Sequence, residues 1–257
     1  MKFQQKQGKI VSLLKSQDMN SIKKVRFAFY SFLVFGLFVR AQDWRAEDVL
    51  NRSIAYHDPE GNWSTFAGKM TIEMATPKGS LRTTKLELRF ADQYFKSTVV
   101  QEGITTTSEW NQGDCQHWYE GKKQFSTAIA EKYRLNCQRT QKMRDYYTYL
   151  YGLPMKLKDS GAQLHPEVKQ VLFQNERFLR LRVDYDAAVG TDRWYFYMDP
   201  ITFQLRHYQF YHNETENDGE YILLSDEMIV EGIKMPKVRA WYRNKDNAYL
   251  GTDTLVQ

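Results

Sequence analysis

The sequence predicts an α+β domain: one large, strongly curved antiparallel sheet of ten or eleven strands with helices packed on one face. Three observations predict it. Apolar residues recur with a period of two along most of residues 70–256, and turn residues punctuate these runs. A single segment without internal Gly or Pro, Ser126 to Tyr151, interrupts them. Sheets of this size curl or close, and a curled sheet has an inside.

Trp44 to Tyr56 reads as a short amphipathic helix, with Ala46, Val49, Leu50 and Ile54 near helical spacing. Asp58-Pro59-Glu60-Gly61 stops it, with proline and glycine where a type I turn accepts them. Beyond Trp63 the period becomes two: Met70, Ile72 and Met74 alternate with Thr71 and Glu73, and Leu86, Leu88 and Phe90 with Glu87 and Arg89. Pro77-Lys78-Gly79-Ser80 between them is a hairpin signal. Further strands are expected near 93–100, 104–110 and 116–120, forming a meander with one apolar and one wet face.

Ser126 to Tyr151 is rich in helix formers and carries Ile129, Tyr133, Cys137, Met143 and the cluster Tyr146, Tyr147, Tyr149 and Leu150. It reads as one long helix or as two short ones broken near Asn136, and Gly152 and Pro154 close it. A second β region follows. Leu179, Leu181, Val183 and Tyr185 alternate with Arg180, Arg182 and Asp184; strands are expected over 194–198, 203–210, 221–224, 233–242 and 249–256. No linker rich in Pro, Gly or Ser and no internal repeat divides the chain, so residues 42–257 read as a single domain.

Residues 1–41 read differently. Lys23, Lys24 and Arg26 precede Phe27 to Val39, an uncharged stretch of 13 residues, and Val39-Arg40-Ala41 then meets polar Gln42-Asp43. That order is the pattern of a cleavable secretory signal, and the stretch is short for a bilayer span. The expected product is exported to the periplasm, with cleavage near Ala41 and no stable membrane insertion afterwards. Met19 would give the leader a more usual length than Met1. The chain's net charge of +5 belongs to this leader, because residues 42–257 hold 28 basic and 30 acidic side chains. A nucleic-acid partner therefore loses its electrostatic basis. In an oxidising compartment the two cysteines favour a Cys115–Cys137 disulfide over a redox or metal site. Closing that loop contributes roughly 3 kcal/mol in the chain-entropy model.

Two stretches carry a resemblance to known proteins. Ala55-Tyr56-His57-Asp58-Pro59-Glu60-Gly61-Asn62-Trp63 and Tyr149-Leu150-Tyr151-Gly152-Leu153-Pro154-Met155-Lys156 resemble the opening and mid-chain motifs of an uncharacterised family of exported bacterial envelope proteins. More distantly, Tyr197-Met198-Asp199-Pro200-Ile201-Thr202-Phe203-Gln204-Leu205 and Gly232-Ile233-Lys234-Met235-Pro236 resemble strand and turn patterns of the LolA/LolB-like lipoprotein carriers. That likeness implies an unclosed half-barrel with helices over its concave face and an apolar interior for acyl chains. The carriers' cationic interior residue finds no matching position on sequence alone.

The candidate chemistry is sparse. His57 and Asp58 end a helix, where a histidine suits the negative helix pole and an aspartate starts a turn. Cys115 and His117 have ligand-like spacing, which a disulfide would cancel. His207 and His212 do not converge by spacing, and His165 precedes a proline in a loop. No H-E-x-x-H, G-x-S-x-G or phosphate-cradling glycine loop occurs. Glu102, Glu109 and Glu120 near Trp110 and Trp118 could form a carbohydrate-cleaving carboxylate pair, or simply be solvated strand-edge acids. Arg180, Arg182 and Arg193 suit a wet sheet face. No cofactor, metal or catalytic residue is expected.

The aromatic content, 15% of the chain, stands out. Phe95, Trp110, Trp118, Trp194, Phe196 and Trp241 suit either ordinary core packing or an apolar ligand cavity. If the sheet curls, Leu179, Leu181 and Val183 face inward with Trp194, Phe196 and Met198, and Tyr146 and Tyr147 of the helix lie at the mouth; these eight are the candidate ligand-binding residues. Three readings result: a carrier for a lipid-like or other hydrophobic ligand, an interaction or sensor module for another envelope protein, and a hydrolase of envelope polymers. The leader makes the first prediction: N-terminal sequencing of the exported form should begin at Gln42. A mature chain that retains Phe27 to Val39 would sink both cleavage and the soluble periplasmic assignment.

Overall fold

Glu102-Gly103, Gln112-Gly113 and Glu231-Gly232 each place two successive residues at positive φ, the backbone of a tight hairpin turn. Such turns fold neighbouring strands back on each other, and repeated along the chain they build a meander. The structure, a computed structural model, describes residues 44–256. The leader and the expected cleavage point lie outside the described residues. The strands are β1 (Ala67–Ala75), β2 (Leu81–Arg89), β3 (Tyr94–Gln101), β4 (Ile104–Asn111), β5 (Asp114–Tyr119), β6 (Ala162–Leu164), β7 (Lys169–Phe173), β8 (Glu176–Tyr185), β9 (Arg193–Met198), β10 (Leu205–Tyr211), β11 (Glu220–Val230), β12 (Ile233–Arg243) and β13 (Tyr249–Leu255). The helices are α1 (Ala46–His57), α2 (Thr127–Tyr133) and α3 (Cys137–Tyr151).

All 13 strands join one antiparallel sheet, in the order β5-β4-β3-β2-β1-β13-β12-β11-β10-β9-β8-β6. β7 pairs with the first half of β8 and β6 with its last residues, so these two share the far edge. No pairing joins that edge to β5, and the half-barrel is unclosed. The two strands beyond the expected eleven are β6 and β7, of three and five residues, too short for alternation to mark clearly. The chain enters the sheet in the middle, because β1 pairs with β13. One meander runs outward from β1 to β5 and the other returns from β8 to β13.

The register lines up one face. Phe95, Leu88 and Leu86 of the first meander and Leu181, Phe196, Tyr208 and Ile222 of the second all join a single buried cluster, together with α1, α3 and the turns after α3. This is the concave face. The opposite face carries a smaller cluster of Phe178, Tyr195 and Tyr197 with Val171, Phe173 and Tyr211.

The helical segment is two helices. Ser126 caps α2 by accepting from the Ile129 N–H, and Asn136 caps α3 by accepting from the Arg139 N–H. Between them Arg134 adopts a left-handed conformation, φ 54°. The strand expected from Phe203 begins at Leu205, because the Asp199 carboxylate gathers the Ile201 and Thr202 N–H groups into a turn. Among the described residues no helix is long and apolar enough to cross a membrane.

His57 is fully buried at the end of α1. Its Nδ1–H donates to the Lys234 carbonyl at 2.6 Å and its Nε2 accepts from the Leu205 N–H at 3.0 Å. That pair of bonds requires a neutral imidazole, since protonation would remove the acceptor. It staples α1 to the starts of β10 and β12. The ring of His207, on the convex face, stacks on Tyr197 at 4.0 Å and on Phe173 at 4.3 Å. Its Nε2 has no hydrogen-bond partner.

Burial depresses both imidazoles, that of His57 below its ordinary value and that of His207 to about 3. A folded pKa below the unfolded value means that the unfolded chain binds more protons as the pH drops. The stabilisation is complete above the unfolded pKa near 6.5 and is lost progressively as pH falls toward the folded value. For His207 alone this amounts to roughly 2 kcal/mol between pH 6.5 and pH 5. Urea unfolding of wild type and His207→Phe at pH 7 and pH 5 tests it: the variant should lose about that much less on acidification. Equal losses in both would refute the assignment.

Candidate functional site

β5 and β6 are consecutive strands at opposite edges of the sheet, so the chain between them must cross from edge to edge, and α3, packed into the buried cluster, carries it over the concave face. Residues 120–161 make that passage, and each end of it is anchored. At the β5 edge Cys115 and Cys137 are joined, with Cα atoms 5.7 Å apart. Beside them His117 Nε2 meets Thr140 Oγ1 at 2.9 Å, and the rings of Tyr119 and Tyr133 approach to 5.2 Å. His117 therefore serves the helix seat and has no thiolate beside it for a metal pair. Among the described residues no group of three or more His, Cys, Asp or Glu side chains could hold a metal ion.

The far end of α3 is held by the sheet floor. Arg239, 1% exposed, donates to the Leu150 carbonyl at 3.3 Å and to the Pro236 carbonyl at 2.9 Å, and its guanidinium lies 4.0 Å from the Tyr151 ring centre. The last carbonyls of a helix lack internal partners and its C-terminal pole attracts cations, so Arg239 satisfies both needs. Opposite it in the β12–β13 register lies Asp253, which accepts from Trp241 Nε1 at 3.2 Å. Burial raises the Asp253 carboxyl above its usual range, against the neighbouring Arg82 and Arg239. The Tyr208 hydroxyl, Arg239 Nε and Asp253 Oδ1 are buried without partners.

Among the described residues, two openings border the helices. The larger is an open cleft of about 1140 Å³. Its apolar walls are Leu88, Phe90 and Tyr94 from the β2–β3 hairpin, Tyr146, Tyr149 and Leu150 from α3, and Tyr185, Trp194, Phe210 and Trp241 from the second meander. Trp194 centres this wall, 4.7 Å from the Phe210 ring and 5.6 Å from that of Tyr149. The Tyr149 and Tyr185 hydroxyls meet at 2.7 Å, so their rings stay packed with the polar ends satisfied. Lys142, Arg144, Asp145, Lys156, Asp159, Asp192 and Glu220 supply charge of both signs. The smaller cavity, about 370 Å³, lies under α2 and the start of α3 against β2 to β4.

The eight candidate ligand residues divide among three places. Leu179, Leu181, Val183, Phe196 and Met198 have no exposed surface and form the packed floor of the concave face. Trp194 and Tyr146 line the large cleft, and Tyr147 lines the small cavity. The three glutamates do not share a site. Glu102 borders the small cavity, Glu109 pairs with Tyr94 and Lys96, and Glu120 accepts from the Thr105 N–H. Arg182 and Arg193 pair with Asp184, and Arg180 covers the Tyr195 ring, as suits a wet face. Sequence alternation alone does not single out Arg239 and Asp253, although each keeps the phase of its inward neighbours, Met235 and Trp241 for one and Leu255 for the other.

The two sequence motifs meet in space. The Asp58 carboxylate accepts from the Asn62 and Trp63 N–H groups at 2.8 and 2.9 Å and so fixes the turn that presents Trp63. Trp63 packs against Gly152 so closely that a Cβ there would lie 2.2 Å from the indole. Gly152→Ala should therefore destabilise the fold by about 1–3 kcal/mol through overpacking. Gly190→Ala, where nothing lies within 4 Å, should be close to neutral in the same urea titration. Equal stability of the two variants would show that α3 does not depend on this contact.

Solved structures similar to this chain include a putative outer membrane lipoprotein-sorting protein domain from Vibrio parahaemolyticus, with 11% identity and a TM-score of 0.47 over 82% of this chain and 92% of that one. The LolA superfamily protein NE2245 from Nitrosomonas europaea is similar at 10% identity and a TM-score of 0.43, over 83% and 92% of the two chains. MucB in complex with MucA(peri) aligns at 14% identity and a TM-score of 0.28, over 82% of this chain and 54% of that one. No curated protein matches. The model of a family of unknown function, DUF6503, matches residues 24–257, and the chain belongs to that family.

Proposed function

We propose that the protein is an exported carrier that holds a lipid-like or other hydrophobic ligand in the cleft beside α3 and performs no catalysis on it. The observation that carries this reading is the cleft itself. Its volume of about 1140 Å³ is ample for an acyl chain, and aromatic and aliphatic side chains from three separate parts of the chain wall it. The paired Tyr149 and Tyr185 hydroxyls keep their rings in the wall without an unpartnered polar group facing an apolar guest. The secretory leader motivates the periplasm as its location.

Titration with a fluorescent neutral acyl probe tests the carrier. Saturable binding is expected, and Tyr146→Asp and Trp194→Asp should each weaken it about tenfold or more, because a carboxylate in an apolar site must be desolvated. Tyr146 is 38% exposed, so its variant spares the core, while Leu172→Asp on exposed β7 should bind as wild type does. Absence of saturable binding by the wild type would end the carrier reading. Recovery of a stoichiometric protein partner with an empty cleft, read by native mass spectrometry, would replace it with the envelope interaction module.

A further inference from the structure

The smaller cavity has a different character from the cleft. Arg82 of β2, Lys132 at the end of α2, Arg134 in the break and Arg139 in the first turn of α3 all line it, with Glu102 as its one acid. Among the described residues no carboxylate lies within 4 Å of any of these four cations. Arg82 Nε is buried and has no hydrogen-bond partner. The Ser97, Thr106 and Ser108 side chains border the same space, and the first turn of α3 adds the positive pole of a 15-residue helix. Four like charges around a concave, partly water-excluded space repel one another, and an anion in that space relieves the repulsion. The guanidinium fork suits planar or tetrahedral oxyanions in particular.

We propose that this cavity is an anion site for a phosphate or carboxylate group, gripped by Arg82 from the sheet and Arg139 from the helix, with Lys132 and Arg134 at its entrance. The site does not depend on the carrier reading of the cleft. The anion is either a free small molecule or the head group of an amphiphile, and both share this chemistry.

Calorimetric titration of the purified protein with inorganic phosphate, dodecyl phosphate and dodecanol, at low and high salt, separates the cases. At least one of the two phosphates should bind, more weakly at high salt, and Arg139→Gln and Arg82→Gln should each reduce its affinity about tenfold while leaving dodecanol unaffected. Equal affinity for the two phosphates identifies a free anion as the guest, whereas preference for dodecyl phosphate identifies a head group. Arg134→Gln, at an exposed position outside the core, should show a smaller loss in the same direction and guards against misfolding as the cause. Binding of neither phosphate, or phosphate affinity unchanged in all three variants, would overturn the anion site. Dodecanol binding alone would leave the carrier standing without it, and phosphate binding alone would do the reverse.

Discussion

The structure depends on one topological constraint: consecutive strands β5 and β6 lie at opposite edges of a single sheet. Neighbouring strands are about 4.8 Å apart, so twelve strands in a row span about 50 Å along the sheet surface. A flat sheet would demand a connection of that full reach. Curling brings the edges toward each other, and the 42-residue passage bridges the concave side with α3 as its main span of about 22 Å. The curvature, the helix across it and the two anchored ends are thus one solution to one problem. A helix is about 10 Å wide, too narrow to cover a face of this width. α1 fills one end beside the Trp63 turn, and the cleft and the cavity lie where the helices leave the face uncovered.

Within that frame, the residues that make the sequence recognisable as a family member prove to be fittings. His57 staples α1 to two strand ends, Asp58 shapes a turn, and Gly152 gives Trp63 room against the end of α3. None of the three borders the cleft or the cavity. His57 seats α1 on the sheet, while Asp58 and Gly152 together place Trp63 against the end of α3. Close backbone contacts of this kind leave little room for other side chains, so these residues serve the seating of the elements.

The fold was legible because period-two alternation and turn residues are local signals. β6 and β7 escaped because three and five residues hold too little alternation, and they are strands only because β8 offers an edge. The break at Arg134 was visible only as a possibility, since a left-handed arginine has no composition mark. The site was harder to read. Trp194 and Phe196 share a phase and a chemistry, yet one lines the cleft and the other lies in the floor. What separates them is the path of α3, a tertiary fact that alternation cannot carry. The cation cavity combines Arg82 with Arg134 and Arg139, about fifty residues away, and only the fold brings them together.

The register of four strands places two arginines and an aspartate in line. Arg82 faces Met74, Met74 faces Asp253 and Asp253 faces Arg239, so these residues form one line across β2, β1, β13 and β12 on the concave face. Buried charge of this kind is a poor source of stability, because desolvation offsets most of the Coulomb attraction. No bonded ion pair forms along the line, and Asp253 is left with one oxygen unpartnered. Its benefit lies in placement. Apolar side chains would let α3 slide over the floor at little cost, whereas the Arg239 guanidinium keeps its bond to the helix only where the Leu150 carbonyl, in the last turn of α3, meets it. Arg239 and Asp253 therefore mark the helix seat across a floor that is mostly apolar. The line also puts Arg82 at the margin where that floor gives way to the cationic cavity, so the residue that starts the line also lines that cavity.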